Sequence, residues 1–208
     1  MFKNRREAGY LLAKELEKRE TEFDIVLAIP RGGVVVGEII ATWFNKPLDV
    51  VMARKIGSPN WEEFAVGAVT PDGHVLVHDR VKGLMDRDAD TVNRLAESVR
   101  RNIVERLRLF RGARSPLDLK GKGVLLVDDG IATGFTVKAA VDYLLRIEAR
   151  EVIIAVPVSS PGAYSGLRGE VKEIVVLEVP PEFYAVGQFY EDFRSVEDQE
   201  VMDILKRC

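Results

Sequence analysis

Apolar residues along the chain form short runs that alternate with longer stretches in which they recur every three or four positions. Five of the runs lack the strict alternation of a half-exposed strand, which is typical of strands covered on both faces of a parallel sheet. They span residues 25–30, 48–53, 124–127, 151–156 and 173–179. Because they alternate with helical stretches, we expect an α/β fold: a doubly wound, mainly five-stranded parallel sheet with helices on both faces and right-handed crossovers.

Helical periodicity and capping residues place the predicted helices. Asn4 and Glu7 form a capping pair ahead of the first apolar face, and Ser195 with Asp198 is the corresponding pair ahead of the last helix. The spacing of apolar residues predicts helices over about residues 5–19, 34–44, 87–110, 137–145 and 163–168, and a last helix through residue 205.

One region interrupts the alternation of strands and helices. Residues 57–64 are rich in turn formers and predict a mobile loop, and loops of this kind can close over a site. Residues 65–69 and 74–78 then predict a β-hairpin ahead of the long helix. The expected divisions are a single domain over 1–208, an insertion at about 57–118 and a small C-terminal hood at about 180–208.

Charge and cysteine content narrow the classes of partner. The net charge over 208 residues is −3, so no overall field recruits nucleic acid or an anionic membrane, and we expect neither as a partner. One cysteine and two histidines exclude a disulfide framework and make a Cys/His zinc cluster implausible. No stretch approaches the length of a membrane span and no apolar leader follows the first charges. We therefore expect a protein of the reducing cytoplasm.

The predicted long helix carries many arginines on its polar side, and this pattern admits two interpretations. A nucleic-acid patch would use such a row, but Glu97 and Glu105 interrupt it, and charge on the outer face is the usual state of an amphipathic helix. The solvated face is therefore favoured, and a subunit interface is the alternative. The arginines are Arg94, Arg100, Arg101, Arg106, Arg108 and Arg111.

The chemistry is concentrated in residues 123–136, where a buried strand ends in two carboxylates. Asp128 and Asp129 follow the apolar run directly, and ligands of open α/β sheets bind at this carboxyl edge. The next residues supply two glycines and two hydroxyls before a helix begins. Backbone N–H groups at such a helix start favour an anion, most simply a phosphate. The residues of this predicted cradle are Gly130, Ile131, Ala132, Thr133, Gly134, Phe135 and Thr136.

A second loop of similar character follows the first predicted strand. Arg31, Gly32 and Gly33 come after Pro30, and Arg54 and Lys55 follow the next strand, so cations emerge near the same sheet edge. Carboxylates between two anion-binding loops suit a sugar that carries phosphates at both ends, because carboxylates accept hydrogen bonds from paired hydroxyls.

These motifs resemble those of a known family. Residues 124–136 are similar to the phosphoribosyl pyrophosphate (PRPP) binding motif of the type I phosphoribosyltransferases, in the expected strand–loop–helix context. Residues 29–33 are similar to the pyrophosphate loop of that family, and the resemblance also accounts for Arg54 and Lys55. The family fold, its activity and a homodimer are what this resemblance implies.

The resemblance also implies roles for individual residues. The 5′-phosphate would be held by the loop from Ala132 to Thr136, and the ribose hydroxyls by Asp128 and Asp129. Magnesium would bridge pyrophosphate and ribose oxygens, mostly through ligand and water, with Asp128, Asp129 and Glu191 nearby. Pyrophosphate would be held by Arg31, Gly32 and Lys55. The catalytic work, mainly positioning and charge stabilisation, would rest on Arg31, Lys55, Asp128 and Asp129.

The C-terminal stretch 183–192 is similar to the hood of the hypoxanthine-guanine branch, where an aromatic residue stacks on the purine. Tyr184 falls at that position, and Glu191 falls at the acidic position near magnesium. Two departures argue against a 6-oxopurine: Ala132 stands where that branch has its acidic proton acceptor, and residues 158–160 offer no lysine. Glu62 or Glu63 on the predicted mobile loop is the remaining hypothesis for a proton acceptor.

Two functional hypotheses follow. The first is a magnesium-dependent enzyme that transfers the 5-phosphoribosyl group from PRPP to a nucleobase or a similar nitrogen nucleophile. The second is a non-catalytic protein of the same fold that senses PRPP or a nucleotide. Both aspartates and both phosphate loops favour the first hypothesis, whereas the missing acid at position 132 and the arginine-rich helix leave the second one open.

Overall fold

The computed structural model describes residues 1–58, 61–77 and 89–208. The six α-helices of this part are α1 (Arg5–Lys18), α2 (Gly32–Phe44), α3 (Ala89–Arg111), α4 (Phe135–Arg146), α5 (Pro161–Leu167) and α6 (Asp198–Arg207). The strands are β1 (Ile25–Ala28), β2 (Leu48–Val50), β3 (Arg54–Ser58), β4 (Trp61–Val69), β5 (Val75–Val77), β6 (Gly123–Val127), β7 (Glu151–Val158) and β8 (Glu173–Glu178). A 3₁₀ turn covers Val186–Phe189. None of the helices in these ranges is both long enough and apolar enough to cross a bilayer.

Five parallel strands form the main sheet in the order β2-β1-β6-β7-β8, which confirms the predicted architecture. The chain builds outward from β1 to β2 on one side and from β6 to β8 on the other. The order therefore reverses between β1 and β6, whose last residues, Ala28 and Val127, lie opposite each other. Ligands of open α/β sheets bind in the crevice at such a switch point, outside the carboxyl ends of the strands.

Alternate residues of the central strands face two separate apolar layers. Val26 and Leu125 pack with the layer that contains Leu12 of α1 and Ile40 of α2. Their neighbours along the strands, including Leu126, pack with α4 and α5 on the opposite face. The helices therefore cover both faces of the sheet, as the apolar runs predicted.

The second core strand is shorter than predicted. β2 ends at Val50 and not at residue 53, because β1 ends at Ala28 and its last carbonyl is already occupied by the N–H of Val51, at 3.1 Å. Beyond that point no strand edge continues for the chain to pair with. The backbone leaves the sheet, and Arg54 begins a second sheet instead.

This second sheet is antiparallel, in the order β3-β4-β5. The hairpin of β4 and β5 confirms the predicted hairpin, with Val69 opposite Val75. The sequence interpretation missed the third strand, β3, which pairs with β4 so that Arg54 lies opposite Val69.

Most of the segment expected to be a mobile loop is strand, so that prediction was wrong. β3 runs through Ser58 and β4 begins at Trp61. Two antiparallel strands need only a few residues between them, so turn formers can stand at strand ends without a long loop. Register shifts around Gly57 show that the pairing is irregular there. The side chains of Glu62 and Glu63, the hypothetical proton acceptors, lie outside the described part of the chain. His78 of the predicted hairpin also lies outside it.

The two predicted capping pairs differ in outcome. Asn4 caps α1, since its Oδ1 accepts the N–H of Glu7 at 3.0 Å. The prediction that Ser195 caps the last helix was wrong: α6 begins at Asp198 after Glu197, and Glu197 makes no side-chain cap hydrogen bond. The carboxylate of Asp198, which a capping pair would direct to the backbone N–H of Ser195, is instead engaged by arginines of other elements, described below.

Candidate functional site

The loop of residues 29–33, called here the Gly–Gly loop, packs directly against the two aspartates that end β6. A Cβ atom added to Gly32 would lie 1.9 Å from Oδ2 of Asp129. One added to Gly33 would lie 2.9 Å from the Cα atom of Asp128. Any side chain at these two positions would therefore displace the aspartates. The structure thus brings together the two loops that the sequence singled out separately.

The loop of residues 128–134, called here the Asp–Asp loop, is held by its neighbour after β7. Ile131 forms a parallel bridge with Ser159, and Oγ of Ser160 donates to the carbonyl of Ala132 at 2.6 Å. The loop ends at Gly134, which precedes α4 with φ 75° and provides no side-chain cap. The first N–H groups of a helix lack intrahelical partners, so a glycine at this place leaves them to a ligand or to water.

Asp129 is fixed from two sides by residues that lie far away in the sequence. Nε of Arg5 donates to its Oδ2 at 2.7 Å, and the hydroxyl of Tyr190 donates to its backbone carbonyl at 2.6 Å. Arg5 is only 9% exposed. Its Nη1 also donates to the carbonyl of Arg194 at 2.8 Å, and its guanidinium lies 3.9 Å from the ring centroid of Phe193. One arginine therefore ties the Asp–Asp loop to the hood.

Sequence reasoning missed Arg5, although a signal was present. Arg5 precedes Ala8, Leu12 and Leu16 at helical spacing, so it lies on the apolar face of α1 and not on its solvent face. An arginine on a buried helical face needs a partner, because burial of an unpaired charge is costly. Here the partner is Asp129.

Asp128 has a different environment from Asp129. Its Oδ1 accepts the N–H of Asp129 at 2.8 Å. Burial, with the neighbouring Asp129 carboxylate as the second cause, raises the pKa of Asp128 well above its usual range. Burial likewise raises the pKa of Tyr190, so that its hydroxyl stays a hydrogen-bond donor. The pair therefore combines a carboxylate neutralised by arginine with a carboxyl group whose pKa is raised by desolvation and by its neighbour.

The Gly–Gly loop also lines a cavity of about 330 Å³. It combines the loop with residues from β3, α3 and the start of α4. Three arginines line it: Arg31, Arg54 and Arg106. Its other lining residues are Ile29, Pro30, Met52, Ala53, Phe110 and Thr136. The cavity is therefore a cationic space that reaches the first turn of α4 at Thr136.

The predicted cations Arg54 and Lys55 separate in the structure. Successive side chains of a strand point to opposite faces, and of these two residues of β3 only Arg54 lines the arginine cavity. Lys55 lies opposite Ala68 of β4 and is exposed. The assignment of Lys55 to pyrophosphate stays a prediction.

The arginines of α3 fall into two groups. Arg101 and Arg108 are exposed, as the solvated-face interpretation expected. Arg111 instead forms a partly buried ion pair with Asp49 at 2.8 Å, which anchors α3 beside β2. Arg106 turns toward the arginine cavity, and periodicity alone gave no reason to separate it from Arg108.

The donor set near the aspartates suits a hard cation that takes most of its ligands from a substrate. Across the described ranges 1–58, 61–77 and 89–208, no group of three or more His, Cys, Asp or Glu side chains is placed to hold a metal ion. Asp128 and Asp129 offer two carboxylates, and magnesium commonly uses one or two together with phosphate oxygens and water. Glu191 is exposed, and its N–H donates to the carbonyl of Phe2 at 2.9 Å. Its metal role stays a prediction.

The hood reaches the Asp–Asp loop through Val186. A Cβ atom added to Gly130 would lie 2.5 Å from a methyl carbon of Val186, so a glycine is needed at this contact. Tyr184 is 86% exposed, and its N–H donates to Oε1 of Gln188 at 2.8 Å. An exposed ring two residues from the contact of Val186 with Gly130 is compatible with base stacking, and this role also stays a prediction.

The fold and site define an α/β protein whose Gly–Gly loop and Asp–Asp loop meet at the switch point of a doubly wound sheet. Comparison with known families makes this class specific. The family model "Phosphoribosyl transferase domain" matches residues 5–194. The chain therefore belongs to the phosphoribosyl transferase family, and the expected class, phosphoribosyltransferase, is confirmed for this domain.

Individual relatives agree with this family. Rv0571c of Mycobacterium tuberculosis, provisionally named as a phosphoribosyl transferase, is 36% identical over 208 residues, which are 100% of this chain and 47% of the relative. The chain thus spans about half the length of the curated relatives it matches. The crystal structure of TT1426 from Thermus thermophilus has a TM-score of 0.85 at 40% identity, covering 99% of this chain and 98% of that one.

A more distant structure has the same fold. A hypothetical protein from Neisseria gonorrhoeae with bound ppGpp has a TM-score of 0.56 at 15% identity, covering 98% of this chain and 92% of that one. At this identity the likeness concerns the fold alone.

Proposed function

We propose that the protein is a magnesium-dependent phosphoribosyltransferase that moves the 5-phosphoribosyl group from PRPP to a nucleobase or a similar nitrogen nucleophile and releases pyrophosphate. One observation carries the proposal: the Gly–Gly loop packs against Asp128 and Asp129, with Gly32 too close to Asp129 to carry a side chain. An anion-binding loop on each side of two carboxylates matches a ribose with a phosphate at one end and a pyrophosphate at the other.

Each part of the substrate has a partner in this arrangement. The start of α4 and the hydroxyls of Thr133 and Thr136 bind the 5′-phosphate, because a helix start offers N–H groups to an anion. Asp128 and Asp129 accept hydrogen bonds from the ribose hydroxyls. Arg31, with the N–H groups at Gly32 and Gly33, binds pyrophosphate, and Arg54 and Lys55 add positive charge.

The transfer breaks the C1–O bond to pyrophosphate and forms a C1–N bond to the acceptor. The bonding electrons leave with the pyrophosphate, and the nitrogen loses its proton to an acceptor. Asp128 and Asp129 lie beside the ring carbon that becomes electron-poor, and Arg31 faces the charge that grows on the leaving group. Bound magnesium supplies charge neutralisation for the pyrophosphate oxygens. The protein contributes mainly by holding both reactants in line.

The acceptor is not a 6-oxopurine in this proposal. Ala132 is exposed and has no proton-accepting group, and its carbonyl is already bonded to Ser160. The proton is therefore taken by a group outside the Asp–Asp loop. Tyr184, exposed on the hood, stacks on the acceptor ring, as aromatic residues do on flat ligands.

The proposal is tested by a panel of bases. Purified protein is incubated with PRPP, Mg²⁺ and each of a set of purines, pyrimidines and other nitrogen heterocycles, and pyrophosphate release is followed. Turnover with at least one acceptor is expected. The double variant Asp128→Asn, Asp129→Asn is expected to keep the fold by circular dichroism and to lose PRPP binding by calorimetry. Unchanged PRPP affinity in that variant would contradict the ribose role.

A second candidate function is that of a non-catalytic sensor of PRPP or a nucleotide. Ala132 favours it, because the position lacks an acid where an enzyme of the hypoxanthine-guanine branch has one. The Neisseria protein of similar fold was solved with bound ppGpp, so the same panel includes ppGpp as a ligand. PRPP or ppGpp binding without turnover on any base would support the sensor and refute the enzyme.

The remaining expectations concern organisation. We propose a single domain with an insertion at about 57–118 and a hood at about 180–208, acting as a homodimer in the cytoplasm. Light scattering coupled to size-exclusion chromatography checks the dimer. A mass of one chain at micromolar concentration would refute it.

A further inference from the structure

Two of the three cavity arginines share one carboxylate. Nη1 of Arg31 lies 3.4 Å from Oδ1 of Asp198, and Nη2 of Arg106 contacts the same oxygen more closely. The three residues come from three separate elements: the Gly–Gly loop, α3 and the first turn of α6. Asp198 is thus an anion placed at the side of a cationic cavity.

We propose that Arg106 is a further ligand of the pyrophosphate group, and that Asp198 acts as an internal substitute anion that holds Arg106 and Arg31 until pyrophosphate replaces it. This inference rests on the proposed function, since it concerns the pyrophosphate end of the same site. It adds a residue of α3 and one of α6 to a pyrophosphate site that the sequence placed on the Gly–Gly loop and on Arg54 and Lys55.

The charge balance of the cavity supports a polyanionic ligand. Arg31, Arg54 and Arg106 line it together. Within the described residues, no carboxylate other than Asp198 lies in ion-pair distance of any of the three. One carboxylate among three guanidinium groups leaves positive charge uncompensated. Guanidinium groups bind phosphate oxygens in pairs, so a pyrophosphate offers more and better-matched contacts than one carboxylate.

The contacts to Asp198 are weak enough to exchange. The side chains of Arg31, Arg106 and Asp198 are 41%, 32% and 33% exposed, and ion pairs in this range of exposure contribute little to stability because water screens them. Exchange of Asp198 for a ligand with several negative charges is therefore favourable. Asp198 also competes with the ligand, so its removal should tighten binding.

Arg106 is held toward the cavity by its own helix. Its guanidinium carbon lies 5.1 Å from the ring centroid of Phe110, one turn further along α3. Phe110 also lines the cavity. Arg108, two residues away on α3, is exposed and does not line the cavity. The pair Arg106 and Arg108 therefore provides a matched comparison between a cavity arginine and a surface arginine.

The experiment measures the dissociation constants of three ligands by calorimetry in the presence of Mg²⁺: PRPP, inorganic pyrophosphate and ribose 5-phosphate. Arg106→Gln is expected to weaken PRPP and pyrophosphate by about tenfold or more, as for loss of a charged hydrogen-bond donor. The dissociation constants of Arg106→Lys should lie between those of the unmodified protein and those of Arg106→Gln, because lysine keeps the charge but not the planar guanidinium group. Ribose 5-phosphate lacks the pyrophosphate and should bind equally to all variants.

A substitution at Asp198 is expected to change these affinities in the opposite direction. Asp198→Asn should tighten pyrophosphate and PRPP by about threefold, in line with the loss of a weak competing ion pair. Arg108→Gln and Asp203→Asn make the same charge changes on α3 and α6 and should leave all three affinities unchanged. Asp198→Asn should increase the affinity less when Arg106→Gln is already present than it does in the unmodified protein, because the two residues act on each other.

The outcomes separate the two levels of the proposal. If the unmodified protein binds neither PRPP nor pyrophosphate, the proposed function itself fails. If it binds both and Arg106→Gln behaves like Arg108→Gln, only the role of Arg106 is refuted. If Asp198→Asn weakens pyrophosphate binding, Asp198 positions the arginines instead of competing with the ligand, and the substitute-anion role is refuted.

Discussion

Asp128 and Asp129 are chemically unequal although they are adjacent. Asp129 is paired with Arg5 at 2.7 Å, whereas Asp128 is half-buried, and desolvation together with the charge of Asp129 raises its pKa. The difference comes entirely from what surrounds each carboxyl group. This arrangement lowers the stability of the ligand-free protein. A bound cation or ribose hydroxyls would restore that stability.

The variant Asp128→Asn should therefore be more stable than the unmodified protein at neutral pH. A carboxyl group whose folded-state pKa is raised contributes stability at low pH and loses it as the pH rises through that pKa, since the folded protein holds a proton that the unfolded chain releases. An asparagine side chain does not ionise, so the variant does not lose this stability as the pH rises. A gain of about 1–2 kcal/mol in the free energy of unfolding is expected near pH 7. Urea unfolding of metal-free protein at several pH values measures it.

The control for this experiment is its pH dependence. The gain from Asp128→Asn should disappear below the ordinary carboxyl range, where Asp128 is protonated in both the folded and the unfolded state. A gain that is the same at acidic and neutral pH would mean that packing, and not the ionisation of Asp128, causes the difference. PRPP binding should be lost at all pH values, which is a common cost of stabilising a functional site.

Replacement of Arg5 should affect both stability and ligand binding. Arg5→Met removes the partner of Asp129 and the contacts to Phe193 and to the carbonyl of Arg194. A loss of about 2–4 kcal/mol in unfolding free energy is expected, because an uncompensated carboxylate stays partly buried. PRPP affinity should also fall, since Arg5 no longer holds the Asp129 carboxylate in place.

Arg6→Met is the matched control for Arg5→Met, one residue further along α1. Arg6 pairs with Glu38 at 2.7 Å, and Glu38 keeps Arg207 as a second partner. Its loss should cost less stability and leave PRPP affinity unchanged. Equal effects of the two variants on PRPP affinity would show that general loosening of α1, and not the contact to Asp129, is responsible.

Residues within one local motif could be predicted, and residues that act across the fold could not. Asp128 and Asp129 follow β6 directly, and Arg31 follows the apolar run that contains β1, so their place at the sheet edge was evident from the sequence. Arg5 and Asp129 are 124 positions apart, and Arg106 and Asp198 are 92 apart. No local pattern encodes such pairs, because they depend on how α1, α3 and α6 pack.

At the level of elements, the two loops depend on glycines that serve close approach. Gly32→Ala should disrupt the site, because the new Cβ atom would lie 1.9 Å from Oδ2 of Asp129 and 2.8 Å from Nε of Arg5. Displacement of that ion pair should reduce PRPP affinity at least tenfold and lower the unfolding free energy by about 1–3 kcal/mol, the usual cost of overpacking. Calorimetry and thermal denaturation measure the two effects.

Gly166→Ala is the matched control in α5. No atom lies within 4 Å of the position that its Cβ would occupy. Alanine is better than glycine in a helix, so this variant should be neutral or slightly stabilising, by up to about 1 kcal/mol, and should keep PRPP affinity. If Gly32→Ala were equally harmless, the Gly–Gly loop would have to move away from the aspartates at little cost, and the close-approach argument would fail.

The elements themselves were predictable where burial alone decides them. The strands of the main sheet were recognised because each is covered on both faces, which produces an apolar run whatever its neighbours are. The end of β2 could not be predicted from its own residues, since it depends on where β1 ends. The strand β3 was missed because Arg54, Lys55 and Gly57 form no apolar pattern, and its pairing with β4 determines it.

At the scale of the whole molecule, the fold places the two loops together through strand order. β1 and β6 are far apart in the chain and adjacent in the sheet, so the Gly–Gly loop and the Asp–Asp loop meet at the switch point. The alternation of strands and helices predicted the sheet, but the order of its strands came from the structure. Arg5 of α1 then contacts the Asp–Asp loop, and Arg106 of α3 lines the cavity beside the Gly–Gly loop.

Because the site joins the two halves of the sheet, its ligand should stabilise the entire domain. PRPP at about 100 times its dissociation constant, with Mg²⁺, should add about 2.7 kcal/mol to the unfolding free energy. For a domain of this size that corresponds to a rise in Tm of roughly 5–10 °C. Thermal denaturation with PRPP and Mg²⁺ checks this. A chelator should remove most of the rise, because the proposed magnesium takes its ligands largely from the substrate.

The variants give this measurement its controls. In the double variant Asp128→Asn, Asp129→Asn the rise in Tm should vanish, and in Arg108→Gln it should equal that of the unmodified protein. Ribose 5-phosphate should produce a smaller rise that is insensitive to the chelator, since it engages the start of α4 but not the Gly–Gly loop. A PRPP shift that survives both the chelator and the loss of the two aspartates would place its binding elsewhere, and the assignment of the switch-point crevice would then be wrong.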